Sequence, residues 1–357
     1  IVLPAVLAAA QETGGLDGKR FIAAMAVGVE LHTRLGLACY NSLGKGWHPT
    51  TALGTLAGGV AAAHALGLDA AAMLDALGHA YHQMGGSKQV LADGVIAKRL
   101  GPGFAARNGV TAAFLAADGL SGVKRVFEGE AGLFALYERG EVDLPKLTEG
   151  LGARWETLNV SMKPFPCCRC NHATIQLALE LRGRGLKPDD IAAGTIAMGA
   201  VNRDVVGGRY EPDTATNPVV HAQFNAAFSF ARALYDGRIG LDSYAPDAIA
   251  QPNVVELAQR LTVTDDPDVE ASALAPARVN LTLRDGSVLA LVRMQVKGSP
   301  EEPMSETEVR SKFDANMAFG LGASSGDTAP LLDAVLGLEG LDDATVLAGL
   351  FPRPNGN

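Results

Sequence analysis

Cysteine is scarce in this chain of 357 residues: there are four, three crowded at Cys167, Cys168 and Cys170 and the fourth at Cys39. That spacing does not make the disulfide framework of a secreted protein, and it fits a reducing cytoplasm. Basic charge is also short, with 30 Lys and Arg against 39 Asp and Glu for a net charge of −9. This excludes the dense positive face that a nucleic-acid backbone demands. No apolar stretch reaches the roughly 18 residues of a membrane span. Residues 1–10 superficially resemble a signal-peptide core, but no basic segment precedes them. Residue 1 is not Met, so the expectation is a chain that begins inside a longer one, with residues 1–11 as a core helix. A Walker-type phosphate loop, a G-x-G-x-x-G after a strand, a fixed-period repeat and a low-complexity tract are all missing. GASSG at 322–326 matches a nucleophile elbow only in letter count, because it lacks the G-x-S-x-G order in a strand-turn-helix setting.

What is present is a large apolar content. At 48% hydrophobic residues the chain can bury one large core or two moderate ones. Periodic, Ala-rich segments at 21–37, 50–66, 70–82 and 103–120 predict a helical bundle of small side chains over residues 1–156. The texture then changes. Residues 191–200 read as a strand, 224–235 and 254–261 as helices, and 277–292 as a hairpin turning at Arg284, Asp285 and Gly286. The fold class expected is mainly α with an α+β second domain over 157–303. Ser305 and Glu308 form a capping box for a helix through Met317, and residues 304–357 are expected to return to the helical domain.

Three segments gather positive charge at helix starts, where free N–H groups attract anions. In the first, Lys163 to His172 (KPFPCCRCNH), two prolines bar helix through Pro166, and the loop delivers Lys163, Arg169 and His172 to the foot of an apolar helix. An ordinary turn capped by Asn171, with buried cysteines and solvated charges, is the plain alternative. In the second, Pro49 at a first helical position leaves His48 beside free N–H groups, either as a cap or as a group that binds or protonates an anion. In the third, Lys98 and Arg99 sit beside a Gly101-Pro102-Gly103 turn that opens a helix. The C-x-x-C-x-H spacing of Cys167, Cys170 and His172 could begin a zinc site, and three thiols could hold an iron–sulfur cluster. No second C-x-x-C or paired histidines follow, so no metal is assigned.

The pieces GWHPTTALGTLAG at 46–58, DGVIAKRLGPGFAARNGV at 93–110, KPFPCCRCNHATIQLA at 163–178, HAQFNAAFSFARALYDG at 221–237 and VRSKFDANM at 309–317 resemble, in this order, the MmgE/PrpD family. The family includes 2-methylcitrate dehydratase, cis-aconitate decarboxylase and iminodisuccinate epimerase. The resemblance implies a large helical domain, here expected to lack its natural N-terminal segment, and a smaller α+β lid. It also implies a cleft active site without an obligatory metal or organic cofactor, and a homodimer. By position, His48 matches the family's active-site histidine, and Lys98 and Lys163 its lysines. Arg99, Arg169, His172 and Gln223 are candidate substrate contacts.

Removing a proton beside a carboxylate builds negative charge that Lys98 and Lys163 can stabilise, while a near-neutral histidine moves the proton. The expectation is a lyase for a small di- or tricarboxylate, a hydratase or dehydratase first, with an epimerase or decarboxylase as alternatives. Two positions depart from the family pattern. Gly101 stands where many relatives have His, and Phe228 where many have Tyr, which leaves open a catalytically silent binding protein on the same fold.

Overall fold

Short polar residues and prolines set where the helices begin. The computed structural model describes residues 1–39 and 43–352, and the chain divides into two units. Unit 1 comprises the described residues of Ile1–Val160 and Ser325–Asn357, and unit 2 comprises Ser161–Ser324.

Unit 1 is built on α1 (Val2–Glu12), α2 (Gly18–Ala38), α3 (Pro49–Ala65), α4 (Ala70–His82) and α5 (Ala97–Ala117). Asp17 caps α2 by accepting from the Arg20 N–H at 3.0 Å, and Asp69 caps α4 by accepting from Ala72 at 2.9 Å. α3 is buried on every side, from Thr51 through Ala65 with few exceptions, as a central helix must be. Its small residues permit a close crossing with α5: a side chain at Gly109 would lie 2.6 Å from the Gly59 nitrogen. α2 is long and apolar enough by length and composition to cross a membrane, contrary to the expectation that no stretch is. Its contacts with α1 and α3 and its buried Arg34–Glu30 pair at 2.6 Å pack one face of it against unit 1. The tail docks on the N-terminal loop, Ala344 donating to the Leu16 carbonyl at 2.7 Å and Gly18 to that of Leu341 at 2.8 Å.

One local expectation fails here. The Gly101-Pro102-Gly103 stretch does not open a helix, because α5 is already under way at Ala97 and runs through Pro102. Three-residue bonds from the Lys98 N–H to the Val95 carbonyl at 3.4 Å and from the Arg99 N–H to that of Ile96 at 2.8 Å form its first turn. The proline's fixed φ suits the helix, and its ring costs the hydrogen bond to the Lys98 carbonyl. Lys98 and Arg99 therefore ride in the first turn of α5.

Unit 2 contains α6 (His172–Gly183), β1 (Ile191–Met198), α7 (Ala226–Asp236), α8 (Pro252–Gln259), β2 (Leu261–Asp265), β3 (Ala277–Leu283), β4 (Val288–Arg293) and α9 (Glu306–Leu321). The sheet order is β2-β1-β3-β4, with β1 and β2 parallel and the other pairs antiparallel. The β3–β4 hairpin turns at Gly286, whose φ of +85° is a conformation that glycine adopts without strain. α6, α7 and α8 pack with the sheet around Ile175, Leu181, Phe230, Leu234, Val279 and Leu281.

β2 escaped the sequence reading, which continued a helix to residue 261. Burial of Leu261 against the core and pairing with β1 override the local helical period there. The Ser305 capping box forms as expected, but α9 belongs to unit 2 and only Ser325 onward clusters with unit 1. The Lys297–Glu308 ion pair at 2.9 Å ties α9 to the strand-end loop.

Candidate functional site

In unit 1, Pro49 starts α3 so abruptly that His48 is left as its first flanking residue, in extended backbone. The His48 N–H donates to the Gly86 carbonyl at 2.9 Å, pinning it to the loop after α4. Its side chain does not cap the helix. Instead Nδ1 lies 2.9 Å from the Thr51 Oγ1, and both residues are buried. Beside them is a pocket of about 230 Å³ lined by, among others, His48, Thr51, Gln83, Ser87, Lys98 and Asn108. Burial lowers the His48 pKa, and the nearby Lys98 and Lys88 ammonium groups lower it further. The imidazole is thus neutral at neutral pH.

Lys88 was missed by the sequence reading. It follows the Gly85-Gly86-Ser87 turn, its ammonium is held by the Gly44 carbonyl, and burial lowers its own pKa. The only sequence signal was a lysine after a glycine pair. Arg99, expected to contact substrate, is exposed and does not line this pocket. Gly101 does line it: a Cβ there would sit 2.5 Å from Thr51 Oγ1 and 3.8 Å from His48 Nδ1. The departure noted in the sequence therefore falls against the His48–Thr51 pair.

In unit 2, the loop before α6 is held by its own backbone. Gln223 Nε2 donates to the Pro166 carbonyl at 3.1 Å, and the Gln223 carbonyl accepts from Cys168 N–H and Asn171 Nδ2. Gln223 thus splints the loop, and Asn171 spends its amide on that splint rather than on capping α6. Lys163 Nζ donates to the Cys167 carbonyl at 3.1 Å. The Arg169 guanidinium donates to the Lys297 and Val296 carbonyls and, at 3.0 Å, to His172 Nδ1.

That last bond makes His172 Nδ1 an acceptor and leaves the ring proton on Nε2. Nε2 is sealed from solvent without a well-formed hydrogen bond, the Cys167 carbonyl giving only a weak pull toward protonation. Burial, followed by the charges of Arg169, Lys163 and Lys312, pushes the His172 pKa down to about 3. His172 therefore carries no positive charge near neutrality, contrary to its reading as one of three cations at this helix foot.

The C-x-x-C-x-H residues have other engagements. Burial raises the Cys167 thiol to about 12, Cys170 Sγ contacts Asn202 Oδ1 at 3.2 Å, and His172 serves Arg169. Among the described residues no cluster of three His, Cys, Asp or Glu side chains has a metal-holding arrangement. Phe228, the second departure, is fully buried and stacked on Tyr210 with ring centres 4.7 Å apart.

The chain matches two family models over most of its length, the MmgE/PrpD N-terminal domain at residues 1–144 and the MmgE/PrpD C-terminal domain at residues 165–338. It is 31% identical to a cis-aconitate decarboxylase-like protein of Aspergillus oryzae, over 88% of this chain and 68% of that protein. It is 29% identical to a cis-aconitate decarboxylase of Aspergillus terreus (99% of this chain, 76% of the relative) and to one of Homo sapiens (99% and 73%). With a helical unit under the first family model, a mixed four-stranded sheet under the second and the ordered motifs in both, this chain belongs to the MmgE/PrpD family.

Proposed function

We propose that the chain is a cofactor-independent lyase that releases carbon dioxide from an unsaturated tricarboxylate of the cis-aconitate type. A lyase-type enzyme acting on a carboxylate is the coarser statement that the family and the decarboxylase relatives carry. The observation supporting the finer reading is the His48 pocket, where a buried neutral imidazole is joined in the lining by the Lys98 ammonium group.

Chemically, the bond between carbon and one carboxylate breaks, its electron pair spreads into the adjoining unsaturated carboxylate, and carbon takes up a proton. Lys98 stabilises the charge that builds on the remaining carboxylate, an effect largest where water is excluded. His48 moves the proton, with Thr51 holding Nδ1 and leaving Nε2 as the exchanging atom. Lys163, in unit 2, is proposed as a further group that stabilises carboxylate charge.

Water loss from a hydroxytricarboxylate is the second reading, favoured by the neutrality of His48, which suits it to remove a proton beside a carboxylate. The test is incubation with cis-aconitate and, separately, 2-methylcitrate, followed by proton NMR and carbon dioxide capture. Carbon dioxide release from cis-aconitate is expected. Water loss from 2-methylcitrate alone would transfer the assignment to the second reading, and turnover of neither would overturn both.

A further inference from the structure

α9 carries Glu308 and Lys312 one turn apart on one face. Three short links bring that face to the loop before α6. Glu308 Oε2 pairs with Lys297 Nζ at 2.9 Å, the Lys297 carbonyl accepts from Arg169 Nη1 at 2.8 Å, and the neighbouring Gly298 carbonyl accepts from the N–H of Met162, next to Lys163, at 2.7 Å. Lys312 is half-buried in this setting, and its ammonium is held below the ordinary lysine range by burial and then by the charge of Lys163.

Among the described residues, Lys163, Arg169 and Lys312 form no ion pair with a carboxylate. Arg169 donates to carbonyls and to His172, and Lys163 donates to the Cys167 carbonyl, bonds that orient these cations without cancelling their charge. Like charges brought together destabilise a fold unless an anion offsets them, the more so where one, here the half-buried Lys312, has lost part of its water. Lys297, by contrast, is neutralised by Glu308, so the uncompensated charge lies on Lys163, Lys312 and the Arg169 between them and α6.

We propose that Lys163 and Lys312 form a two-pronged site that binds a polycarboxylate through two of its carboxylates, with Lys312 as a substrate-binding residue. This inference rests on the reading of the chain as a polycarboxylate enzyme and adds the residue that the sequence reading passed over within VRSKFDANM. A dicarboxylate or tricarboxylate spans two ammonium groups, whereas acetate reaches only one, so selectivity for polyanions follows from the pairing.

The test uses the whole chain and tricarballylate, a saturated tricarboxylate that lacks the reactive double bond. Lysines are trace-labelled with acetic anhydride and quantified by mass spectrometry, with and without the tricarboxylate and with acetate at equal ionic strength. Tricarballylate is expected to protect Lys163 and Lys312 together and acetate neither. Lys312→Gln should weaken tricarballylate binding about tenfold, and Lys312→Arg should restore most of it, as expected for loss and return of one charged hydrogen bond. Labelling of Lys312 unaffected by tricarballylate, or Lys312→Gln affinity within about twofold of the parent, would overturn the proposal. Protection of both lysines without turnover of cis-aconitate would remove the proposed function and keep the site. Turnover with Lys312 unprotected would do the reverse.

Discussion

Two histidines mark helix starts in this molecule, one in each unit, and each stands among cations. His48 flanks α3 beside a pocket, with its Nδ1 on a threonine hydroxyl and Lys98 and Lys88 near enough to lower its pKa. His172 opens α6 with no exposed surface, and its Nδ1 is occupied by Arg169. Both rings are neutral at pH 7, but His48 lines a pocket, whereas both ring nitrogens of His172 are enclosed. The difference teaches that burial, reinforced by nearby cations, keeps a histidine neutral in either place, whereas an adjoining pocket and an uncharged hydrogen-bond partner leave it able to exchange a proton.

The largest expected effect separates the two rings by activity. Replacing His48 with Gln should lower turnover of an identified substrate by about 10²- to 10⁴-fold, and Lys98→Met by about 10²-fold. Circular dichroism and urea melts should stay close to the parent. Comparable activity in His48→Gln would erase the distinction between the histidines.

A second prediction concerns stability against pH. The folded-state pKa of His172 is pushed down to about 3 from an ordinary value of 6.5, so the unfolded chain binds the extra proton first. Its stabilising contribution is complete above pH 6.5 and is lost as pH falls toward 3, at a slope of about 1.4 kcal/mol per pH unit in that window. Urea denaturation at stepped pH should show a shallower acid loss for His172→Gln than for the parent. Equal slopes would mean that His172 is not the buried neutral group described here.

The smallest effect sharpens the His48 side. Gly101→Ala places a Cβ 2.5 Å from the Thr51 hydroxyl, forcing it off His48 Nδ1. Losing one neutral hydrogen bond of about 1 kcal/mol should reduce turnover about fivefold. Thr51→Val should match it, and the double variant should be no worse than either single one, because both break the same contact. Additive losses would detach Gly101 from the His48–Thr51 pair.

Much of the architecture was legible in the sequence because its signals are local. The Ser305–Glu308 capping box, the Asp285-Gly286 turn and the Pro49 helix start each act within four residues. β2 was not legible, since its strand state comes from pairing with β1 more than sixty residues away. The α5 start was misplaced because Gly101-Pro102-Gly103 carries a strong local turn signal that first-turn hydrogen bonds override. Of the residues lining the His48 pocket, His48 and Lys98 stand in motifs readable from the sequence. Lys88 carried only the weak signal of a nearby glycine pair, Lys312 lay within a motif that gave it no role, and Gln223 and Arg169 proved to be engaged with backbone carbonyls.

The sequence by itself determined the family, the helical and mixed composition of the two halves, and the cations at helix starts. These follow from periodicity, caps and short motifs, which the chain encodes in neighbouring residues. Tertiary structure alone decided that His48 lines a pocket while the ring of His172 is enclosed, which cations are neutralised and which are not. Burial and charge compensation depend on groups that are distant along the chain and meet only in the folded state.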